Sequence, residues 1–330
     1  MAMKNPLAPA LKLLRLDVFT FLILLVLSIA LVVPARGQAA ALLSPVTNVA
    51  IGVLFFLHGA RLSRQAIMAG IAHWRFHLAA LALTFVLFPA LAILIHASAA
   101  SLLPGALLTG LIYLCVLPST VQSSIAYTAM AHGNVPAAIC SASLSNLVGV
   151  FATPLLAAAL IGAQGTTATL TSIQMIVSQI LLPFIAGHLF RPLIGTFVDR
   201  HKAALSWFDR GVILAIVYRA FSSATVERVW TQLSPTDFII VLGFAAALLI
   251  AAIFGAAILA QALKFDRADK VALTFCGVQK SLASGAPMAS VIFPAATVGA
   301  VLLPLMIYHQ VQLMVGAVMA RRFAQQSQPT

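Results

Sequence analysis

One short phrase occurs twice in the chain, as Val121-Gln122-Ser123-Ser124-Ile125-Ala126 and as Val278-Gln279-Lys280-Ser281-Leu282-Ala283. Each copy sets an amide and hydroxyls among apolar residues, and the second adds an amine, Lys280. Such groups bind ions and polar ligands by hydrogen bonding. Both copies stand where a helix has difficulty continuing. Pro118-Ser119-Thr120 precedes the first, removing a backbone donor and offering hydroxyls that compete for carbonyls. Gly277 enters the second, and Gly285 and Pro287 follow it. Interrupted helices at bilayer depth persist only when buried in protein or lining a wet cavity, where half-helix ends and freed carbonyls bind ions and substrate. Two such interruptions point to a binding site near the bilayer midplane.

The elements that must carry these phrases are membrane helices. The 330 residues are 62% hydrophobic and 8% charged, with mean hydropathy +1.06. No soluble fold hides that much apolar surface, so soluble dinucleotide-binding, nucleic-acid-binding and disulfide-stapled secreted folds are excluded. Apolar runs of about 20 residues, bounded by charge, Gly or Pro, divide the chain into ten candidate spans. They cover 18–34, 39–60, 76–95, 104–131, 134–161, 170–190, 210–224, 237–262, 269–292 and 294–320. The seventh is the weakest, because Arg219 sits inside it.

The 19 basic against 7 acidic residues, net +12, fit loops that face the cytoplasm and anionic lipid headgroups; no nucleic-acid partner is implied. With the amino terminus inside, one side holds Lys4, Lys12, Arg15, Arg61, Arg64, Arg75, Arg191, Arg200, Lys202, Arg210, Lys264, Arg267, Lys270, Arg321 and Arg322. The other holds Arg36, Arg219 and Arg228. That asymmetry predicts ten spans with both termini cytoplasmic. Residues 1–39 also resemble a secretory leader, but the apolar run is long for one, and its removal would put the new terminus on the wrong side.

The two phrases sit in the fourth and ninth spans, an offset of five, so the second copy enters the membrane inverted and the chain divides into repeats 1–162 and 163–330. Cys115, Cys140 and Cys276 lie in apolar stretches without C-x-x-C spacing and read as packing residues. His73 and His77 have the i, i+4 spacing of a metal pair, but Arg75 between them favours a solvated face. Ala97–Ala100 and Ala157–Ala159 read as helix packing or loop filler.

Gln122 to Ser124 followed by Gly133-Asn134-Val135, then Thr153-Pro154-Leu155, then Phe275-Cys276-Gly277-Val278-Gln279-Lys280-Ser281, resemble the bile acid/sodium cotransporter superfamily along nearly the whole chain. Within it the resemblance is to the sodium/bile acid cotransporter 7 branch and its bacterial relatives. The resemblance implies an all-α fold of ten helices, with a panel domain from helices 1, 2, 6 and 7 and a core domain from helices 3, 4, 5, 8, 9 and 10. Helices 4 and 9 would break and cross, and one domain would move against the other. Na+ or H+ would be the coupling ion, with no resident cofactor.

Carried over residue by residue, the sodium-ligand positions are degraded. The glutamate of the ninth helix falls on Phe275 and its following asparagine on Lys280, while Gln279 is kept. In the fourth helix Ser124 is kept and the asparagine becomes Ile125. The hydroxyls of the fifth helix fall on Ala138 and Ala142, and a glutamine of the third falls on Thr84. The charge inventory agrees without any alignment: Asp17, Asp199, Asp209, Glu227, Asp237, Asp266 and Asp269 all fall at a terminus, in a loop or at a span end. A hard cation would have to be held by carbonyls and hydroxyls alone. An ammonium about 4 Å away would repel it by about 4 kcal/mol at an effective dielectric of 20.

Lys280 is therefore the central candidate. A lysine at mid-bilayer costs about 2.5–3.5 kcal/mol to insert and marks a pathway or cavity. Three roles are open: a tethered cation in a former sodium site, an anchor for an anionic substrate, or a proton carrier. The alternative is a misplaced span boundary that lets it snorkel to an interface. Gln279, Ser281, Gln122, Ser123, Ser124 and Asn146, with Ser145, His309 and Gln310, are candidates for the same cavity, although hydroxyls in membrane helices often bond their own carbonyls instead.

The sequence thus predicts a transporter of a small organic anion in a bacterial inner membrane, surrounded by lipid, as monomer or dimer, with sodium coupling in doubt. A non-transporting membrane regulator is the alternative, but it would want larger partner-binding loops. Intramembrane enzymes need an acid pair, a Ser/His arrangement or a metal cluster at depth, and the sequence offers none.

Overall fold

The computed structural model describes residues 18–61, 73–162 and 174–326. Among them the chain is helical: α1 Val18–Val32, α2 Gln38–Arg61, α3 Trp74–Ala99, α4 Gly105–Cys115, α5 Gln122–Met130 and α6 Val135–Gly162 come first. Then follow α7 Gln174–Arg200, α8 Lys202–Val226, α9 Pro235–Ala262, α10 Arg267–Val278, α11 Leu282–Ile292 and α12 Ala295–Gln325. Six of these, α2, α3, α6, α7, α9 and α12, are long and apolar enough to cross a membrane. They make the chain an integral membrane protein. Lys4, Lys12, Arg15, Asp17, Arg64 and the start of the sixth span lie outside the described residues.

At the sixth and seventh spans the helices run longer than hydropathy indicates. The sixth span was expected to end at 190 and the seventh to begin at 210, yet α7 runs to Arg200 and α8 starts at Lys202. Arg191, Arg200, Lys202 and Arg210, read as loop residues, are therefore helical. Hydropathy marks the apolar slab, whereas helical hydrogen bonds continue past it wherever charged side chains are solvated or paired. Here Asp199 lies 3.2 Å from Lys202 and 3.7 Å from Arg191, and Asp209 pairs with Arg61 of α2.

Close packing rests on small residues. Cβ atoms on Gly59 of α2 and Gly187 of α7 would collide with the carbonyls of Phe184 and Phe56, so each glycine lets the other helix's backbone in. Toward the far end of α8, Gly299 of α12 rests on the Ala220 carbonyl and the Ala224 methyl, bringing the two helices into close contact.

The expected solvated face holds at His73, whose side chain is 43% exposed, and at Arg75, but not at His77. His73 Nε2 lies 2.7 Å from Asp269 Oδ2, and His77 is 3% exposed with neither ring nitrogen partnered. The reason is tertiary. The start of α10, capped by Asp266, docks on the start of α3, and Asn134 joins them by donating to Asp269 Oδ1 at 2.8 Å while its own Oδ1 caps α6.

Candidate functional site

Both phrases adjoin helix breaks, though in different register. The first break, residues 116–121, precedes its phrase, and α5 begins at Gln122. The second, residues 279–281, lies inside its phrase, and α11 begins at Leu282. The breaks touch: Ser281 donates its backbone N–H to the Pro118 carbonyl at 3.0 Å.

A broken helix frees backbone groups that must be satisfied without water. At the first break Thr153 Oγ1 donates to the Val116 carbonyl at 2.8 Å, and Asn146 Nδ2 to the Ser119 carbonyl at 2.9 Å. The Ser119 N–H donates to Ser145 Oγ at 3.0 Å. At the second break Gln312 serves both backbone groups of Lys280, accepting from its N–H at 2.7 Å and donating to its carbonyl at 2.9 Å. Tyr308 donates to the Val278 carbonyl at 2.8 Å, and Tyr113 to the Gly285 carbonyl at 2.8 Å. Ser281 caps α11 by accepting from the Ser284 N–H at 3.1 Å, and Ser284 Oγ donates to Asn146 Oδ1 at 2.7 Å.

Lys280 completes the account. Its side chain is 0% exposed, and Nζ donates to the carbonyls of Leu117 at 2.8 Å, Thr84 at 3.0 Å and Cys115 at 3.2 Å. It also stands 3.9 Å from the centroid of the Phe88 ring. An ammonium carries three N–H donors, one for each of the three carbonyl acceptors. Cys115 and Leu117 lie where α4 ends, at its negative dipole end, and Thr84 lies in a π-turn, Leu83–Leu87, within α3. The nitrogen sits in a cage of backbone oxygens closed by an aromatic face. Snorkelling to an interface is ruled out by that burial.

The other candidates separate into groups. Gln279 Oε1 accepts from Ser123 Oγ at 2.5 Å and lies 3.3 Å from Ser124 Oγ, joining the two phrases, while its Nε2 is buried without a partner. Gln122 is exposed and reaches Ser206 of α8 at 3.3 Å. Thr84 contributes its carbonyl, its hydroxyl bonding back to Ala80. Phe275 sits with Val271, Ala131 and Ala320 in an apolar cluster against Tyr127 and Phe323, its carbonyl accepting from Ser124. Ala138 and Ala142 are fully buried, and half-buried Ile125 packs on the core.

On α12 the residue at the break is Gln312; His309 stands behind it, Nδ1 2.9 Å from Gln312 Nε2, and Gln310 is half-buried. Tyr308, Gln312 and Tyr113 escaped the sequence reading, and Thr153 entered it only within a family phrase. The available signal was the i, i+4 spacing of Tyr308 and Gln312 on one face of an apolar helix.

Comparison of the sequence with known proteins places the chain in a family of transporters. The sequence profile of the SBF-like CPA transporter family matches residues 17–325. Putative symporter YfeH of Escherichia coli is 44% identical over 313 residues, 95% of this chain and 94% of its own. Uncharacterized protein PA2026 of Pseudomonas aeruginosa is 47% identical over 312 residues, 93% of each chain. Sodium/bile acid cotransporter 7 of Danio rerio is 28% identical over 314 residues, 92% of this chain and 93% of its own. A membrane protein whose paired helix breaks enclose a cage of carbonyls, and whose likeness to these relatives runs through both breaks, is a member of the SBF-like CPA transporter family within the bile acid:sodium symporter superfamily.

Proposed function

We propose that the chain is a secondary transporter that moves a small organic anion by alternating access without sodium, the Lys280 ammonium occupying permanently the place a coupling cation would take. The observation that carries this is the three-carbonyl, one-ring environment of Nζ. Of the three roles for Lys280, the tethered cation fits best: an anchor needs a free N–H, and a proton carrier needs a route to water. A second cation about 4 Å away would meet about 4 kcal/mol of repulsion, and the position matched to the glutamate, Phe275, offers it no carboxylate.

The same reading arranges the chain as ten spans in two inverted repeats, 1–162 and 163–330, with a panel of the first, second, sixth and seventh spans moving against a core of the rest. Both termini lie in the cytoplasm of a bacterial inner membrane. Val121 and Gln122 are exposed at the amino end of α5, while α8 packs closely on Gly299 toward its far end, a contact we take as the closed side. This supports an inward-facing state in which substrate meets the first break. Gln122, Ser123, Gln279 and Asn146 are then the polar groups nearest the moving substrate, and Ser124, Ser281 and His309 support them.

The test is uptake of labelled taurocholate, chosen for the relatives' bile acids, into proteoliposomes. Uptake is expected to be equal in sodium and in N-methylglucamine. Stimulation by a sodium gradient in wild type, unchanged by Lys280→Ala, would overturn the reading.

A further inference from the structure

Lys280 has no N–H to spare, so the negative charge of an anionic substrate must be met elsewhere. Arg219 of α8 donates from Nη1 to Asn48 Oδ1 of α2 at 2.8 Å, its only hydrogen bond among the described residues, and no described carboxylate pairs with it. On its own helix, Asp209 and Glu227 are about 15 Å and about 12 Å away along the axis, and Asp209 already holds Arg61. Both Arg219 and Asn48 are half-buried. Ser222, next to Arg219 on the same helix face, is 1% exposed and its hydroxyl has no partner. Gly52, one turn along α2 from Asn48, has nothing within 4 Å of where a Cβ would stand, so the pair borders open space.

We propose that Arg219 and Asn48 form an anion subsite taking the carboxylate or sulfonate of an amphipathic organic acid. A guanidinium in a membrane helix without a counter-ion is costly, and its free edge is where that cost is recovered. With Nη1 held by Asn48, Nε and Nη2 form the side edge that binds two oxygens of a planar anion together. Asn48 Nδ2 supplies a further donor. The pair lies beside Ala220, at the level where Gly299 packs on α8. An acid rising through an inward-facing cavity would reach Arg219 just below that contact. The inference rests on the proposed transport of organic anions, and it names the group that recognises them.

The test measures binding, so that it can fail without transport failing. Full-length protein in sodium-free nanodiscs is titrated with octanoate and, as the neutral control, octanamide, following the thermal unfolding midpoint. Octanoate is expected to raise the wild-type midpoint by a few degrees and octanamide to leave it unchanged. Asn48→Asp, nearly isosteric, supplies Arg219 with an internal counter-ion; it is expected to fold with an equal or higher ligand-free midpoint and to weaken the octanoate response at least about tenfold. Arg219→Gln is expected to abolish that response. An unresponsive wild type, an equal effect of octanamide, or an undiminished response in Asn48→Asp would overturn the subsite. If Arg219→Gln does not fold, Asn48→Asp decides alone. Sodium-driven uptake in a wild type whose octanoate response Asn48→Asp removes would leave the subsite standing and sink the tethered cation instead.

Discussion

The two helix breaks share a phrase and little else. At the second, Gln279, Lys280 and Ser281 are all buried, and Gln312, Tyr308 and three carbonyls account for the freed groups and for the amine. At the first, Ser119 and Thr120 are buried, but Val121 is 39% exposed and Gln122 opens to the surface. The residue that differs most between the copies is Lys280 against Ser123. On the proposed reading, a lysine replaces a diffusible ion by a covalently attached one, and its break is buried; the serine stands at a break with an exposed edge. One break is buried throughout and the other is open on one side, which is why the proposed function brings substrate to the first.

The sharpest way to break this contrast is to make the copies alike. Lys280→Ser strands three carbonyls, and the expected loss is about 3 kcal/mol or more of stability, read as a lower unfolding midpoint in choline chloride. Part of that loss should return in sodium chloride, because the vacated cage then offers oxygens to a small cation. A midpoint indifferent to sodium would mean the cage is not a cation site.

Next in size is Gln312→Leu, which strands both backbone groups of Lys280 at once and should cost about 2–4 kcal/mol in detergent unfolding. Asn146→Leu at the first break removes the donor to Ser119 and the acceptor for Ser284, with an expected cost of about 1–3 kcal/mol. If Asn146→Leu proves more damaging than Gln312→Leu, the assignment of the second break as the rigid one is wrong. Gln122→Ala should be the mildest, within about 0.5 kcal/mol of wild type in stability, since its bond to Ser206 is long and exposed. Its transport rate should change more than its stability, which uptake assays on the same preparation would show.

Much of the fold was legible because membrane burial writes itself into composition. Runs such as 237–262 announce helices, and Pro118 and Gly277 announce trouble in them. Thr153, quoted only as part of a family phrase, turned out to cap the Val116 carbonyl, a role no local pattern discloses. His77 was misread because Arg75 suggested water where α10 instead docks. Arg219 registered as a blemish in a weak span and as a charge on the outer side, since nothing in its neighbourhood along the chain mentions Asn48, 171 residues away.

The sequence alone determined that the chain lives in a bilayer, where two of its helices break, and that an amine lies between polar neighbours in the second break. Those features depend on residue type and near spacing, which local sterics and the transfer of side chains into hydrocarbon settle. Only the tertiary structure decided that the amine faces three carbonyls from α3 and the end of α4, that Gln312 holds the break, and that Arg219 keeps an edge free. Each of those is a meeting of distant segments, and in a low-dielectric interior a polar group's meaning is set by the partner it finds.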